Sequence, residues 1–434
     1  MPKPLQQVDT RFDELLQDLP SDMVELAYKC KAFVRARKIK SPAELLRLVL
    51  SYGGLDQSLR EAGAVMALRG QPLCDQSVKE RLESCLPWIE ALLKELMPAP
   101  EVPSLAGPQR WLVCDGSTVQ APGATTTDYR VHVCLDVVRV AVVEVKVTDQ
   151  KTGESLAHFR LGAGDTVLTD RGYATAHEIV TTRQRQAHLV MRMSAHNLPL
   201  FDASAERIDL QAVLRADPLA TLQTVSVVIK DPESQQSVTA WVHAARLDQR
   251  AAEAERRRLH RRAQKNGQTV KASTLFFADW LLVVTTWPPE QLSAETILAL
   301  YRVRWQVELV IKRWKSLLDL DRLRARRGSA LATVWLTGKL LYAWLIERRA
   351  RRRLGDHWTR LDQHRTATWW RVWKLIAAEV AVAILGVEHW RRDGWSECLA
   401  VLAERPRRRK LQTLPRAVIT LLHPDQSLAL SLAA

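Results

Sequence analysis

Residues 98–108 hold four prolines in eleven positions, and they constrain the fold more than any other segment of the chain. Proline has no backbone N–H and a fixed φ, so this segment can neither continue a helix nor lie inside a sheet. Apolar residues before it recur with helical spacing, whereas those after it form short runs rich in β-branched residues. We therefore interpret residues 98–108 as a linker between two differently built parts.

The part before the linker, residues 1–97, is predicted to be a helical DNA-binding domain. Ser41 and Glu44 form a capping box at the start of one helix, and Gly53 and Gly54 are expected to end it. Short helices joined by glycine-containing turns could form a helix-turn-helix-like reader of DNA or a plain helical bundle. The residues leave both interpretations open.

After the linker, strand-like runs alternate with helical ones, which predicts an α/β fold with a mixed sheet. A β-rich stretch with a very basic helix interrupts this pattern and is interpreted as an insertion. A single long helix is expected from about residue 293 to 318. The predicted division is a first part of the core at 109–195, the insertion at 196–276, a second part carrying the long helix at 277–330, and a basic helical C-terminal region at 331–434.

The net charge of +15 is concentrated at one end of the chain. From Tyr301 onward there are 27 basic and 12 acidic residues, so the preceding residues balance and the whole surplus lies here. Such a surface suits a phosphate backbone. No run of about 20 apolar residues predicts a membrane span. The six scattered cysteines and the absence of a signal peptide lead us to expect a cytoplasmic, nucleoid-associated protein.

Three carboxylates stand at positions suited to metal binding. Asp115 and Asp170 each end a predicted strand, and Glu308 lies midway along the predicted long helix. Carboxylates at the ends of neighbouring strands meet in one crevice, and a third from a packed helix can complete an oxygen-lined pocket. Mg²⁺ prefers such oxygen ligands, and a pair of these ions can promote phosphodiester cleavage.

The long helix carries a stripe of functional side chains around Glu308. Tyr301, Arg304, Glu308, Lys312 and Lys315 are spaced 3, 4, 4 and 3 apart, which places them on one helical face. One acid is thus flanked by cations and a phenol. A solvated face with ordinary i,i+4 ion pairs would give the same pattern, so the spacing alone does not decide its role.

The combination resembles the DDE transposases of bacterial insertion sequences, and more narrowly the insertion-sequence-four family. That family carries the signature Y-x2-R-x3-E-x6-K, which matches Tyr301, Arg304, Glu308 and Lys315 here. The surroundings of the two aspartates, Cys-Asp-Gly-Ser and Thr-Asp-Arg-Gly-Tyr, also fit. The resemblance covers about residues 41–345, and a β-rich insertion is expected in such proteins before the Glu helix.

The resemblance implies a ribonuclease-H-like core and cut-and-paste transposition. Asp115, Asp170 and Glu308 would bind two Mg²⁺ ions, for which Mn²⁺ could substitute. The enzyme would cleave the element's ends, pass through a hairpin, and join the ends to a target. Its partners would be double-stranded DNA, both the inverted-repeat ends and the target, and a second copy of itself in a homodimer.

Other residues are candidate DNA contacts. Trp280, on a predicted strand before the Glu helix, could stack on a flipped base as in related transposases, or could be an ordinary core tryptophan. The basic helix of the insertion could clamp DNA or be a solvated face. The full predicted set of DNA-binding residues is Tyr301, Arg304, Lys312, Lys315, Trp280, Arg171, Arg256, Arg257 and Arg261.

Two other functions share these features. A metal-dependent nuclease with the same core would cleave DNA without strand transfer. A non-catalytic DNA-binding remnant of a dead element would bind without cleaving. The intact set of three acids and the intact helical signature favour the transposase over the remnant.

Overall fold

The computed structural model describes residues 10–97, 110–355 and 368–389, and in addition residues 391, 397, 400 and 401. The predicted linker at 98–108 and much of the predicted C-terminal region lie outside the described residues. The helices are α1 (Thr10–Leu16), α2 (Met23–Lys29), α3 (Pro42–Val49), α4 (Leu59–Leu68), α5 (Asp75–Ser84), α6 (Leu86–Leu96), α7 (Ala176–Gln184), α8 (Leu210–Ala216), α9 (Gln249–Lys265), α10 (Ala272–Phe277), α11 (Ala294–Val303), α12 (Trp305–Leu318), α13 (Ala330–Leu354) and α14 (Trp369–Leu385). The strands are β1 (Arg110–Val119), β2 (Tyr129–Asp136), β3 (Ala141–Asp149), β4 (Asp165–Thr169), β5 (His188–Arg192), β6 (Leu222–Lys230), β7 (Ser237–Arg246) and β8 (Trp280–Thr285).

These strands form one mixed sheet in the order β3-β2-β1-β4-β5-β8-β7-β6. The neighbours β1, β4 and β5 run parallel, and the other neighbouring pairs are antiparallel. Helices cover both faces of the sheet. This is the α/β, ribonuclease-H-like arrangement predicted from the sequence, and that prediction is confirmed.

Alternate residues of each strand face two different hydrophobic cores, because successive side chains in a strand point to opposite faces. Val113 and Leu168 face the core that α11, α12 and α13 cover. Leu112 and Val167 face the core that α7 and α8 cover. The same alternation determines which face of the sheet carries the polar side chains that follow the buried part of each strand.

The strands of the predicted insertion, residues 196–276, continue the core's own sheet. β6 pairs with β7 along its length, and β7 pairs with β8 from Trp241↔Thr285 to Arg246↔Trp280. β8 in turn pairs with β5. The basic helix α9 follows β7 in the chain.

The helices from both ends of the described chain pack together. α6 and the π-helical turn Leu50–Gly54 lie against α13, and their apolar side chains share one core with it. The backbones approach closely there, since a Cβ on Gly53 would lie 2.9 Å from Cα of Gly338. Lys339 is fully buried and donates to the Gly54 carbonyl. The N-terminal helices therefore do not form a core of their own.

Two elements differ from expectation. The helix expected from 293 to 318 is broken into α11 and α12, because the N–H of Arg304 bonds to the carbonyl of Tyr301 at 3.2 Å in a tighter turn. The predicted strand that carries Trp280 begins at Trp280 itself, because the residues just before it form the short helix α10.

Candidate active site

The register of two parallel strands brings Asp115 and Asp170 to one place. β1 and β4 pair from Arg110↔Asp165 to Val113↔Leu168. Asp115 and Asp170 each come two residues after the last pair, so both lie on the α12 side of the sheet. The prediction that Asp115 ends its strand is wrong, because β1 continues to Val119 through its antiparallel pairing with β2. It is the parallel pairing that ends here, which opens the crevice.

Asp170 itself helps to turn the chain. Its carboxylate Oδ1 accepts the N–H of Gly172 at 2.7 Å and caps the 3₁₀ turn Arg171–Tyr173. The carboxylate of Asp115 accepts the N–H of Gly116 at 2.8 Å. Both aspartates are partly buried and partly held by the backbone, so their positions are fixed before any ligand arrives.

Arg304 connects the third acid to the first. Its guanidinium Nη2 donates to Glu308 Oε1 at 2.5 Å, and its Nη1 lies 4.0 Å from Asp115 Oδ2. It also lies over the ring of Tyr301, 5.7 Å from the centroid. The break between α11 and α12 therefore leaves the stripe intact, although Arg304 lies at the break itself.

Lys312 and Lys315 continue the stripe along α12. Lys312 is exposed and Lys315 is partly exposed. Neither forms an ion pair within the part of the chain that the structure describes. Their ammonium groups thus remain available to an outside anion.

A fourth carboxylate, Glu154, lies in the same pocket and was missed by the sequence analysis. A Cβ on Gly116 would lie 2.9 Å from its Oε1, and one on Gly172 would overlap its Oε2. Arg130 pairs with it at 3.6 Å. Glu154 lies in a loop, so no helical or strand periodicity marks it in the sequence. The only sequence signal for space at this point is the pair Gly116 and Gly172, which follow Asp115 by one residue and Asp170 by two.

Crowding of negative charge perturbs the site. Burial, helped by the nearby charges of Asp170 and Glu154, raises the pKa of Asp115 from 3.8 to about 6, although the Gly116 N–H and Arg304 act in the opposite direction. Burial also raises the pKa of Glu154, and Asp170 adds to this effect. A divalent cation would relieve this repulsion, so the oxygen donors fit a hard metal ion.

The acids are not yet arranged around a single point. Among the described residues no group of three Asp, Glu, His or Cys side chains is spaced to hold one ion. Glu308 is instead occupied by Arg304. The donor set fits a cation, and Glu308 would have to turn away from Arg304 to join it.

Beside the acids lies a pocket lined by Arg171, Arg192 and Trp280. Trp280 is only 4% exposed, and Arg246 lies over its ring at 5.3 Å. Burial lowers the pKa of Arg171, and the neighbouring cations Arg192 and Arg258 lower it further. Arg192 was also missed by the sequence analysis, because a single arginine at the end of β5 carries no spacing signal.

Comparison with known proteins decides the family. A family model described as "Transposase DDE domain" matches residues 108–344, more than half of the chain. The chain is also 30% identical over 335 residues to the transposase for insertion sequence element IS421 of Escherichia coli, covering 76% of this chain and 90% of that protein. The chain belongs to the DDE transposases.

Other relatives agree with this assignment. The transposase is 30% identical over 334 residues to InsL of insertion sequence element IS186A from Escherichia coli (strain K12), covering 76% of this chain and 90% of that protein. It is 24% identical over 203 residues to the transposase for element IS231F of Bacillus thuringiensis subsp. israelensis, which covers 43% of this chain and 41% of that one. It is therefore an insertion-sequence transposase, a polynucleotidyl transferase of a class that depends on divalent metal ions.

The three arginines of helix α9 that are predicted to bind DNA have different surroundings in the transposase. Arg256 is paired with Asp279 at 2.5 Å, and Arg257 lies 3.6 Å from Glu253. Arg261 is exposed and makes no ion pair among the described residues. Of the three, Arg261 is therefore the freest to meet a phosphate.

No helix within the described ranges of the transposase is long and apolar enough to cross a membrane.

Proposed function

We propose that this transposase cuts and joins the ends of an insertion sequence by a cut-and-paste route, with Asp115, Asp170 and Glu308 as its catalytic acids. One observation carries the proposal. The β1–β4 register brings the two aspartates to one crevice, and Arg304 links Asp115 to Glu308 across it. The stripe from Tyr301 to Lys315 supports membership of the insertion-sequence-four family.

The metal cofactor in this proposal is a pair of Mg²⁺ ions, with Mn²⁺ as a substitute. When bound, the ions supply Lewis-acid activation of the attacking and leaving oxygens. The chain's own contribution is to hold the three carboxylates, two of which the backbone already orients. Glu308 completes the set when Arg304 releases it.

The cations of the stripe contact the DNA backbone in this proposal. Arg304 turns to a phosphate when it releases Glu308, and Tyr301 supports its guanidinium from one side. Lys312 and Lys315 have no internal ion pair among the described residues, which suits them for phosphates beyond the cleaved bond.

Trp280 and its surrounding arginines support the proposed hairpin intermediate. A flipped base needs an aromatic platform and a charged rim for its phosphate. Trp280 lines a pocket together with Arg171 and Arg192. Because the ring is nearly buried, a base would reach it only after Arg246 moves from its face.

The basic helix α9 extends this DNA surface. Its exposed arginines Arg256, Arg257 and Arg261 are proposed to follow the backbone of the element's end. The DNA complex is proposed to be a homodimer in which each copy of the protein holds one end of the element. Cleavage is proposed to take place within this dimer.

The test uses purified full-length protein with a duplex that carries the element's inverted-repeat end, in Mg²⁺. We expect nicked, hairpin and joined products from the wild type. Asp115→Asn, Asp170→Asn and Glu308→Gln are each expected to reduce cleavage to background while retaining DNA binding in a gel-shift assay. Normal cleavage by any one variant would remove that residue from the catalytic set. Nicks without joined product would identify a nuclease instead.

A further inference from the structure

The loop between α12 and α13, residues 319–328, carries four arginines within six positions. They are Arg322, Arg324, Arg326 and Arg327, and all four are exposed. We call this segment the arginine loop. None of the residues that the sequence predicts to bind DNA lies in it, so its charge has no assigned role.

The arginine loop is held firmly against the end of β1. Gln120, which follows β1, donates its N–H to the carbonyl of Asp321 at 3.0 Å and accepts the N–H of Leu323 at 2.9 Å, as neighbouring parallel strands do. Leu323 is fully buried. At the other end of the loop, the N–H of Gly328 donates to the hydroxyl of Tyr129 at 3.0 Å. A fixed backbone therefore presents the arginines to solvent.

Acids near the arginine loop neutralise its charge only in part. Arg322 lies 3.4 Å from Asp319, and Arg327 lies 3.4 Å from Asp128. Arg326 makes no ion pair among the residues that the structure describes. Solvent screens ion pairs of exposed side chains, so such pairs hold an arginine weakly. Three arginines thus face two carboxylates, and the loop keeps a surplus of accessible positive charge.

A second arginine-rich run, at the end of α13, is occupied within the protein. Arg349 is only 4% exposed and lies 3.5 Å from Asp18 and 3.4 Å from Glu379. Arg352 lies 2.9 Å from Asp18, and Arg353 lies 2.8 Å from Glu379. These ion pairs join α13 to α14 and to the residues after α1. The arginine loop, unlike this run, offers its cations to an outside polyanion.

The distance from the crevice to the arginine loop can be found along two elements. Glu308 and Leu318, the last residue of α12, are ten residues apart, a rise of about 15 Å along a helix. Asp115 and Gln120 are five residues apart, about 17 Å along a strand. The two elements give nearly the same separation. It corresponds to about five base pairs of a DNA duplex.

We propose that the arginine loop binds the DNA backbone of the element's end about five base pairs from the cleaved bond. Lys312 and Lys315 of α12 lie between the crevice and the loop, so the cations form one continuous track. The inference rests on the proposed function, because the crevice of the three acids defines where the cleaved bond lies. It adds Arg322 and Arg326 to the residues that contact DNA.

The test compares the double variant Arg322→Gln/Arg326→Gln with wild type in binding a labelled duplex that carries the inverted-repeat end. Fluorescence anisotropy is measured at several salt concentrations, in chelator so that no cleavage takes place. Loss of two phosphate contacts should lower the slope of log K against log salt by about two units. Arg324 stays unchanged, because it lies 3.7 Å from Asp56, which also pairs with the fully buried Lys339.

A second double variant, Arg207→Gln/Lys230→Gln, removes the same charge from a remote surface. Both cations lie beside Phe201 near β6, which is five strands away from β1 in the sheet. This control should keep the wild-type slope, and thermal unfolding checks that both double variants are folded. A wild-type slope for the arginine-loop variant, or an equal fall in slope for both variants, would overturn the proposal.

Uncharged phosphates in the duplex locate the contact. Methylphosphonates placed about four to six base pairs from the cleaved bond should weaken binding by wild type. They should have little further effect on Arg322→Gln/Arg326→Gln, because the contact that they remove is already lost. If this variant loses as much affinity as wild type at every substituted position, the arginine loop does not bind there and the inference is wrong.

Failure of this inference is distinguishable from failure of the proposed function. Binding by the arginine loop is measured without metal, whereas cleavage in Mg²⁺ reports on the acids. If Asp115→Asn abolishes cleavage while Arg322→Gln/Arg326→Gln keeps the wild-type slope, the catalytic site stands and the role of the loop is refuted. If Asp115, Asp170 and Glu308 can each be replaced without loss of cleavage, the proposed catalytic set is wrong, and so is the position assigned to the loop.

Discussion

Arg304 does more in this structure than its place in a helical stripe suggests. It hydrogen-bonds Glu308 and approaches Asp115, so it acts as an internal counter-ion for two of the acids. The stripe and the three acids could be found from the sequence, because helical spacing and strand ends are local signals. The contact between Arg304 and Asp115 could not, since it depends on how α12 crosses β1.

Asp115 should make the metal-free protein less stable as pH rises. Its folded pKa is about 6 against 3.8 in the unfolded chain, so the folded state holds the proton more tightly and loses stability between about pH 4 and 6. Asp115→Asn, which carries no charge, should therefore be more stable than wild type at pH 7.5, by on the order of 2 kcal/mol.

This difference is measured by thermal unfolding in chelator at several pH values. The advantage of Asp115→Asn should shrink toward pH 4, because the wild-type carboxyl is then protonated in the folded state and becomes protonated in the unfolded chain as the pH falls through 3.8. An advantage that is the same at pH 4.5 and pH 7.5 would show that the charge of Asp115 is not its cause.

At the scale of single elements, α12 shows what periodicity does and does not predict. The spacing of apolar residues correctly placed a helix at Glu308 and Lys315. It did not reveal the break at Arg304, because the residues before and after the turn keep helical dihedrals and the same exposed face. A tighter turn within a continuous pattern leaves no mark on the sequence.

Lys315 should contribute to DNA binding through a phosphate contact. Lys315→Gln is expected to weaken binding to the element's end and to lower the slope of log K against log salt by about one unit. Lys230→Gln is the matched control, because Lys230 lies on the distant strand β6, where its ammonium group is over the ring of Phe201. An unchanged salt slope for Lys315→Gln would place the contact elsewhere.

The close crossing of the π-helical turn and α13 should tolerate no side chain. Gly53→Ala would bring a Cβ to 2.9 Å from the Gly338 backbone and should cost about 1–3 kcal/mol of stability. Gly153→Ala is the control, because no atom lies within 4 Å of the added methyl group. Denaturant unfolding of both variants tests this prediction. Equal unfolding midpoints for the two variants would contradict the close approach of the two backbones.

At the scale of the whole molecule, the sequence indicated the fold class but not how its parts join. Alternating strands and helices predicted the ribonuclease-H-like sheet. The β-rich stretch at 196–276 is interpreted as an insertion, and its strands β6 and β7 extend the core sheet through β8. Strands that are far apart in the sequence pair according to the geometry of the sheet edge and the apolar surface that pairing buries. Composition and local spacing do not encode these properties.

The N-terminal helices should depend on α13 for their stability. Trp335 and Lys339 of α13 are fully buried against residues 50–56, where Trp335 donates to Asp56 and Lys339 to the Gly54 carbonyl. A fragment of residues 1–97 should therefore melt without a cooperative transition, whereas the full chain should melt cooperatively. Circular dichroism on both gives the comparison, and a sharp transition in the fragment would show an independent domain.

The internal counter-ion at the crevice has a consequence for ion selectivity. A monovalent cation entering beside Glu308 would only replace one positive charge with another, since Arg304 already supplies one. A divalent cation brings one more positive charge than the guanidinium that it displaces. The displaced arginine can then bind a phosphate. If Glu308 holds a metal ion as proposed, we expect its contact with Arg304 to make the site select divalent cations over potassium and sodium.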